Sequence, residues 1–94
     1  MFLRITRTRI ESAKYDQVMG LSQEVVDAVK KLPGLQHVSM AGDQSNGRGT
    51  IVSVWDTKDH AQFDRSALGD VVARAQEMGA QIEAPEIYEI TAQS

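Results

Sequence analysis

Cysteine is missing from all 94 residues of this chain. That excludes disulfides, thiol nucleophiles and thiolate metal sites, and makes a reducing, cytoplasmic setting the expectation. Proline occurs only at positions 33 and 85, so neither a proline-rich segment nor a linker is present. No apolar run is long enough for a secretory leader or a membrane span. The formal charge is −3 and the basic residues are scattered, so no membrane or nucleic-acid partner is expected. The two histidines, His37 and His60, have no carboxylate at ligand spacing, and no metal site is expected. Asn46-Gly47-Arg48-Gly49 lacks the Gly-Lys-Ser/Thr ending of a phosphate loop. No serine-centred elbow accompanies it.

What is present reads as one globular domain spanning residues 1–94, with 41% hydrophobic and 24% charged residues. Phe2 to Ile10 is rich in β-branched residues and free of Gly and Pro, as a strand requires. Its alternation sets Leu3, Ile5 and Arg7 on one face and Phe2, Arg4, Thr6 and Thr8 on the other. Tyr15, Val18, Ser22, Val25, Val29 and Leu32 recur at helical spacing, predicting a helix over 13–32 with Ser12 as its N-cap. Pro33-Gly34 ends that helix. Strands are predicted over 35–41 and 50–56, joined by a hairpin tightest at Asn46-Gly47. A second helix is predicted over 58–78, capped by Asp56 or Thr57, with a break at Gly69. Phe63, Ala67, Val71, Val72, Ala75 and Met78 form its apolar face. A last strand over 86–91 follows Pro85.

Two strand–helix–strand units with right-handed crossovers interlock into a four-stranded antiparallel sheet with both helices on one face. This is a ferredoxin-like βαββαβ fold of the α+β class, with strand order 4-1-3-2. RNA-binding domains share the topology but carry stacking aromatics on the first and third strands. Here Trp55 stands only at the end of the third. The second sheet face has no helix to cover it, which points to a homodimer formed by packing sheet on sheet. His37 falls at such a contact or at the sheet edge.

The strand end Trp55-Asp56-Thr57, the helix stop Leu32-Pro33-Gly34-Leu35 and the closing Pro85-Glu86-Ile87-Tyr88-Glu89-Ile90 resemble the antibiotic-biosynthesis-monooxygenase-like family of dimeric α+β barrels. The likeness covers nearly the whole chain, through short and mostly structural motifs. It implies a small apolar or aromatic ligand between sheet and helices, with no cofactor. Members of the family include cofactor-independent monooxygenases acting on aromatic or quinol-like substrates, haem-degrading enzymes and proteins of unassigned function. Fold therefore transfers more readily than chemistry. A non-catalytic ligand-binding or sensing module of the same fold is the alternative.

Oxygenation of a phenol-like substrate without a cofactor needs a basic or hydrogen-bonding group beside an apolar cavity, to hold the substrate anion. If the inner faces of the first and third strands coincide, Arg4, Thr6, Ser53 and Trp55 line one pocket. Phe63 and His60 join them from the apolar arc of the second helix, where a histidine is a candidate general base. The structural reading of Arg4 is an ion pair with Glu89 on the neighbouring strand. The competing reading of Trp55 is simple packing of the only tryptophan.

The haem-degrading branch carries an Asn in the first strand, a Trp ending the third and a His about ten residues later. Only the Trp is kept here. Thr6 stands at the Asn position and Arg65 near the His position, while His60 comes more than a helical turn too early. Incubated with haem and a reductant, the protein should therefore leave the ring intact. Loss of the Soret band with a catalase-insensitive, bilin-like product would contradict this.

Overall fold

The computed structural model describes residues 1–94. In chain order the elements are β1 (Phe2–Arg9), α1 (Tyr15–Met19), α2 (Ser22–Lys30), β2 (Leu35–Asp43), β3 (Arg48–Trp55), α3 (Lys58–Ala61), α4 (Val71–Glu77), β4 (Gln81–Ile82) and β5 (Glu86–Glu89). Short 3₁₀ turns occupy Ser12–Lys14, Gln44–Asn46 and Arg65–Leu68. The sheet is antiparallel throughout, running β2-β3-β1, with β4 and β5 sharing the far edge of β1. The ferredoxin-like α+β arrangement and its strand order are thus as the sequence implies. No helix is long and apolar enough to cross a membrane.

The fourth strand is split. Pro85 has no amide hydrogen to give the ladder, and β4 and β5 lie on either side of it. Glu83 N–H donates to Arg7 O between them. The first helical segment is interrupted at Gly20-Leu21, where Leu21 N–H bonds back to Val18 O, three residues away, rather than four. Ser12 is not a side-chain cap; its hydroxyl donates instead to Gln44 O. Thr57 does cap α3, accepting from His60 N–H at 3.2 Å.

The expected long second helix is replaced by α3, a 3₁₀ turn and α4. Two observations account for this. Arg4 occupies the carbonyls of Ala61 and Phe63 that a continuing helix would use. The Asp64 side chain accepts from Ser66 N–H and starts a separate turn, which ends at Gly69 with φ 74°. The interruption changes the helical phase, so Ala67 is exposed while Val71 and Ala75 remain buried.

Val25, Val29, Trp55, Ala61 and Val71 form one buried cluster, and Ile10, Val18, Ala75 and Ala80 a second. Both lie between the sheet and the helices. The opposite sheet face pairs Leu3 with Val54 and Ile5 with Val52, all partly exposed, with Tyr88 52% exposed beside them. An ion pair between Arg7 and Glu86 borders this face.

Gly34 ends the first helical segment at φ 85°, and a Cβ there would meet Asp56 Oδ1 and His60 Nδ1. Gly20 instead has helical angles, φ −62° and ψ −18°. Gly34→Ala should cost about 1–3 kcal/mol of stability, whereas Gly20→Ala, at helical angles, should change it by no more than about 1 kcal/mol. Urea unfolding of both variants checks the difference.

Candidate functional site

The geometry starts with register. Arg4 on the central strand β1 is paired with Ser53 on one side and Ile87 on the other, and Thr6 with Ile51. Directly opposed residues share a face, so Arg4, Thr6, Ser53 and Ile51 all point toward the helices. Arg4, Thr6 and Ser53 are 5%, 8% and 2% exposed. They are the buried polar side chains of this protein.

Arg4 forms no ion pair with Glu89. Glu89 registers with Phe2 and is exposed. The Arg4 guanidinium instead lies 3.8 Å from the centre of the Phe63 ring. Its Nη1 donates to Ala61 O at 2.8 Å and Phe63 O at 3.0 Å. Burial, and then the charge of Arg65, lower its pKa from the usual arginine value. Arginine nevertheless remains charged near neutral pH.

Trp55 is fully buried. Its indole N–H donates to Ser53 Oγ at 2.8 Å, and its ring centre lies 5.2 Å from that of Phe63 at an interplanar angle of 48°. Phe63 is therefore sandwiched between Trp55 and Arg4. Packing accounts for the tryptophan, which supports the wall of the site from behind.

A cavity of about 40 Å³ lies beside this stack. Arg4, Thr6, Ser53 and Arg65 form its polar side, and Phe63, Val25, Val29, Ile51, Leu68 and Val72 most of its apolar side. A second cavity of about 60 Å³, lined almost wholly by aliphatic groups, adjoins it and shares Val25, Ile51, Leu68, Val72 and Ile82. Of the six sequence-derived candidates, Arg4, Thr6, Ser53 and Phe63 surround the first cavity. Trp55 stands behind it and His60 does not reach it.

His60 lies within α3, ahead of the break, and turns the other way, toward Asp56. Its Nδ1 lies 2.7 Å from Asp56 Oδ1, next to Gly34, where it braces the turn after α2. That hydrogen bond from His60 is the main cause of the lowered Asp56 pKa. His37 is exposed on the edge strand β2, within 2.6 Å of Ser39 Oγ. No three His, Asp or Glu side chains cluster as a metal site.

Arg65 and the aliphatic wall are not evident as site residues from spacing. Arg65 reaches the cavity because its Nη2 donates to Glu83 O, tying the 3₁₀ turn to the β4–β5 edge. A broader depression of about 560 Å³ lies at the β2–β3 hairpin, lined by Arg7, Asp43, Arg48 and neighbours. It is open to solvent and has Ala41 as its one apolar lining residue, so it cannot desolvate a ligand as the inner cavities can.

No protein-family model and no curated protein sequence matches this chain. Solved structures match it from end to end. It is similar to a Deinococcus radiodurans protein provisionally called an antibiotic biosynthesis monooxygenase, at TM-score 0.80 and 13% identity, over 100% of this chain and 96% of that one. A dimeric ferredoxin-like protein from an uncultured marine organism matches at TM-score 0.75 and 13% identity, covering 99% and 96% of the two chains. SnoaB, a cofactor-independent oxygenase from Streptomyces nogalater, matches at TM-score 0.66 and 13% identity, covering 98% and 94%. At these identities the likeness is one of fold. The chain has the ferredoxin-like fold of the antibiotic biosynthesis monooxygenase structures.

Ser53→Ala should cost about 1–3 kcal/mol, because the buried indole N–H loses its acceptor. Combined with Trp55→Phe, the loss should be smaller than the sum of the two single losses, since no donor is then stranded. Urea unfolding of the four proteins in this cycle is the measurement. Strict additivity would show that the bond contributes nothing.

Proposed function

We propose that this protein is a homodimeric α+β barrel that binds a small apolar or aromatic molecule between sheet and helices, and oxygenates an aromatic or quinol-like substrate without a cofactor. The observation that carries the reading is Arg4, a basic side chain projecting into a mostly apolar cavity. An acidic ring methylene or phenol that loses its proton there becomes an electron-rich anion. Arg4 lowers the energy of that anion, and the dry surroundings strengthen the effect. Ser53 Oγ already accepts from Trp55, so its own proton is free to bond an oxyanion.

The substrate then supplies all the electrons. For a ring methylene, one oxygen atom of O₂ replaces the two hydrogens to form a carbonyl, and the other leaves as water. The SnoaB-like fold supports this reading. One observation favours the non-catalytic alternative: neither a carboxylate nor an imidazole lines the cavity to accept the proton. In the catalytic reading, the proton passes to solvent from a substrate acidified by Arg4.

The dimer belongs to the same proposal. Leu3, Ile5, Val52 and Val54 form a partly apolar, helix-free sheet face, and a second copy laid on it would bury at least roughly 1,000 Å² in total. Light scattering should give twice the chain mass at micromolar concentration. With an anthrone or a hydroquinone, O₂ uptake should match product, and Arg4→Gln should lower kcat about 100-fold. Binding without O₂ uptake would assign the non-catalytic module. Absence of both binding and uptake would remove both readings.

A further inference from the structure

The charge balance of the inner cavity has a consequence for what it binds. Arg4 is 5% exposed, and the ion pairs of the molecule lie elsewhere, between Arg7 and Glu86 and between Arg74 and both Glu24 and Asp70. Buried charges are ordinarily paired, because desolvation is costly without a counter-charge. The Ala61 and Phe63 carbonyls and the Phe63 ring compensate Arg4 with dipoles and a quadrupole, leaving its net charge uncancelled. Arg65 adds a second positive charge to the same wall, and its hydrogen-bond acceptor is also a neutral carbonyl.

The donors left over point the same way. Only Nη1 of Arg4 is used by the protein, so Nε and Nη2 have no protein acceptor. The planar guanidinium fork is suited to the two oxygens of a carboxylate. A site of about 40 Å³ has room for a carboxylate group or a water or two. The adjoining aliphatic cavity offers an apolar body its place once Leu68 or Val72, which line both spaces, moves aside.

We infer that the ligand of this cavity is an organic anion, with a carboxylate or phenolate oxygen set against Arg4 and an apolar body directed toward the aliphatic cavity. This rests on reading the cavity as a ligand site, and it adds the charge and orientation of the ligand. A neutral ligand would leave the cation of Arg4 uncompensated.

Phenylacetate and phenylacetamide have nearly the same shape and differ in charge. Their dissociation constants can be read from the single indole N–H resonance of Trp55. The acid should bind about tenfold tighter or more, and Arg4→Gln should remove that preference. Arg65→Gln should weaken it severalfold, and the wild-type comparison decides even if the Arg4 variant does not fold. For the phenolate source, bound para-nitrophenol should show the visible absorbance of its anion, with an apparent pKa lowered by about one unit. Acid preference identifies a carboxylate and ionised nitrophenol a phenolate; either result supports the inference. It is overturned if the amide binds as tightly as the acid and nitrophenol stays protonated, and the cavity then remains a site for neutral molecules. If no probe shifts the resonance at millimolar concentration, the cavity is not a ligand site, and the inference falls with that reading.

Discussion

A buried guanidinium joins the central strand of the sheet to the layer above it. Arg4 projects from β1, caps the carbonyl end of α3 and lies on the ring of Phe63, which packs in turn on Trp55. Burying such a group is costly unless its donors are satisfied. The path of the chain after β3 meets that requirement: α3 stops after one turn and brings its last carbonyls to Nη1. The break in the second helical segment is therefore linked to a charge on a distant strand. That break also creates the 3₁₀ turn whose Leu68 and Arg65 close the cavity.

The two sheet faces divide the work. The helix-facing side of β1 and β3 combines three buried polar residues with a tryptophan, a composition poorly suited to a plain packing layer and well suited to a polar-ended pocket. The other side carries Leu3, Ile5, Val52 and Val54 with no element above them. A small domain buries a limited share of its surface alone, so covering this face would add stability while leaving the cavity on the opposite side undisturbed. In the proposed reading, binding and assembly fall on separate faces of one sheet, set by the alternation of single residues along two strands.

The inner space is compact. Cavities of about 40 and 60 Å³ are the size of a small polar group, and an aromatic ring needs side chains to move. Leu68 lies in a short turn anchored by Arg65 to Glu83 O and ended by Gly69. Such a turn has few hydrogen bonds of its own, so its displacement disturbs little of the sheet or of α4.

Alternating and helical hydrophobic patterns were sufficient for the strands, the helices and the sharing of one strand face by Arg4 and Thr6, because those depend on periods of two and 3.6 residues. The strand order followed from right-handed crossovers, and the register of β1 on β3 then showed that Ser53 lies on the same helix-facing side. The helix stop at Gly34 was equally legible, being local backbone chemistry, while the cap was narrowed to Asp56 or Thr57 and the structure chose Thr57. Periodicity misplaced Ala67, since it assumes an unbroken helix and carries no information that Arg4 would take the carbonyls of Ala61 and Phe63, and it missed the bond to Asp56 that holds His60 away from the cavity. It also left open whether Trp55 faces a ligand or the core; the bond to Ser53 Oγ and the Phe63 ring decided for the core. Arg65 entered the cavity wall only through its bond to Glu83 O, 18 residues on in the chain. Local patterns thus determined which side chains share a strand face. Long-range hydrogen bonds, which depend on how the layers meet, decided which of those side chains share a cavity.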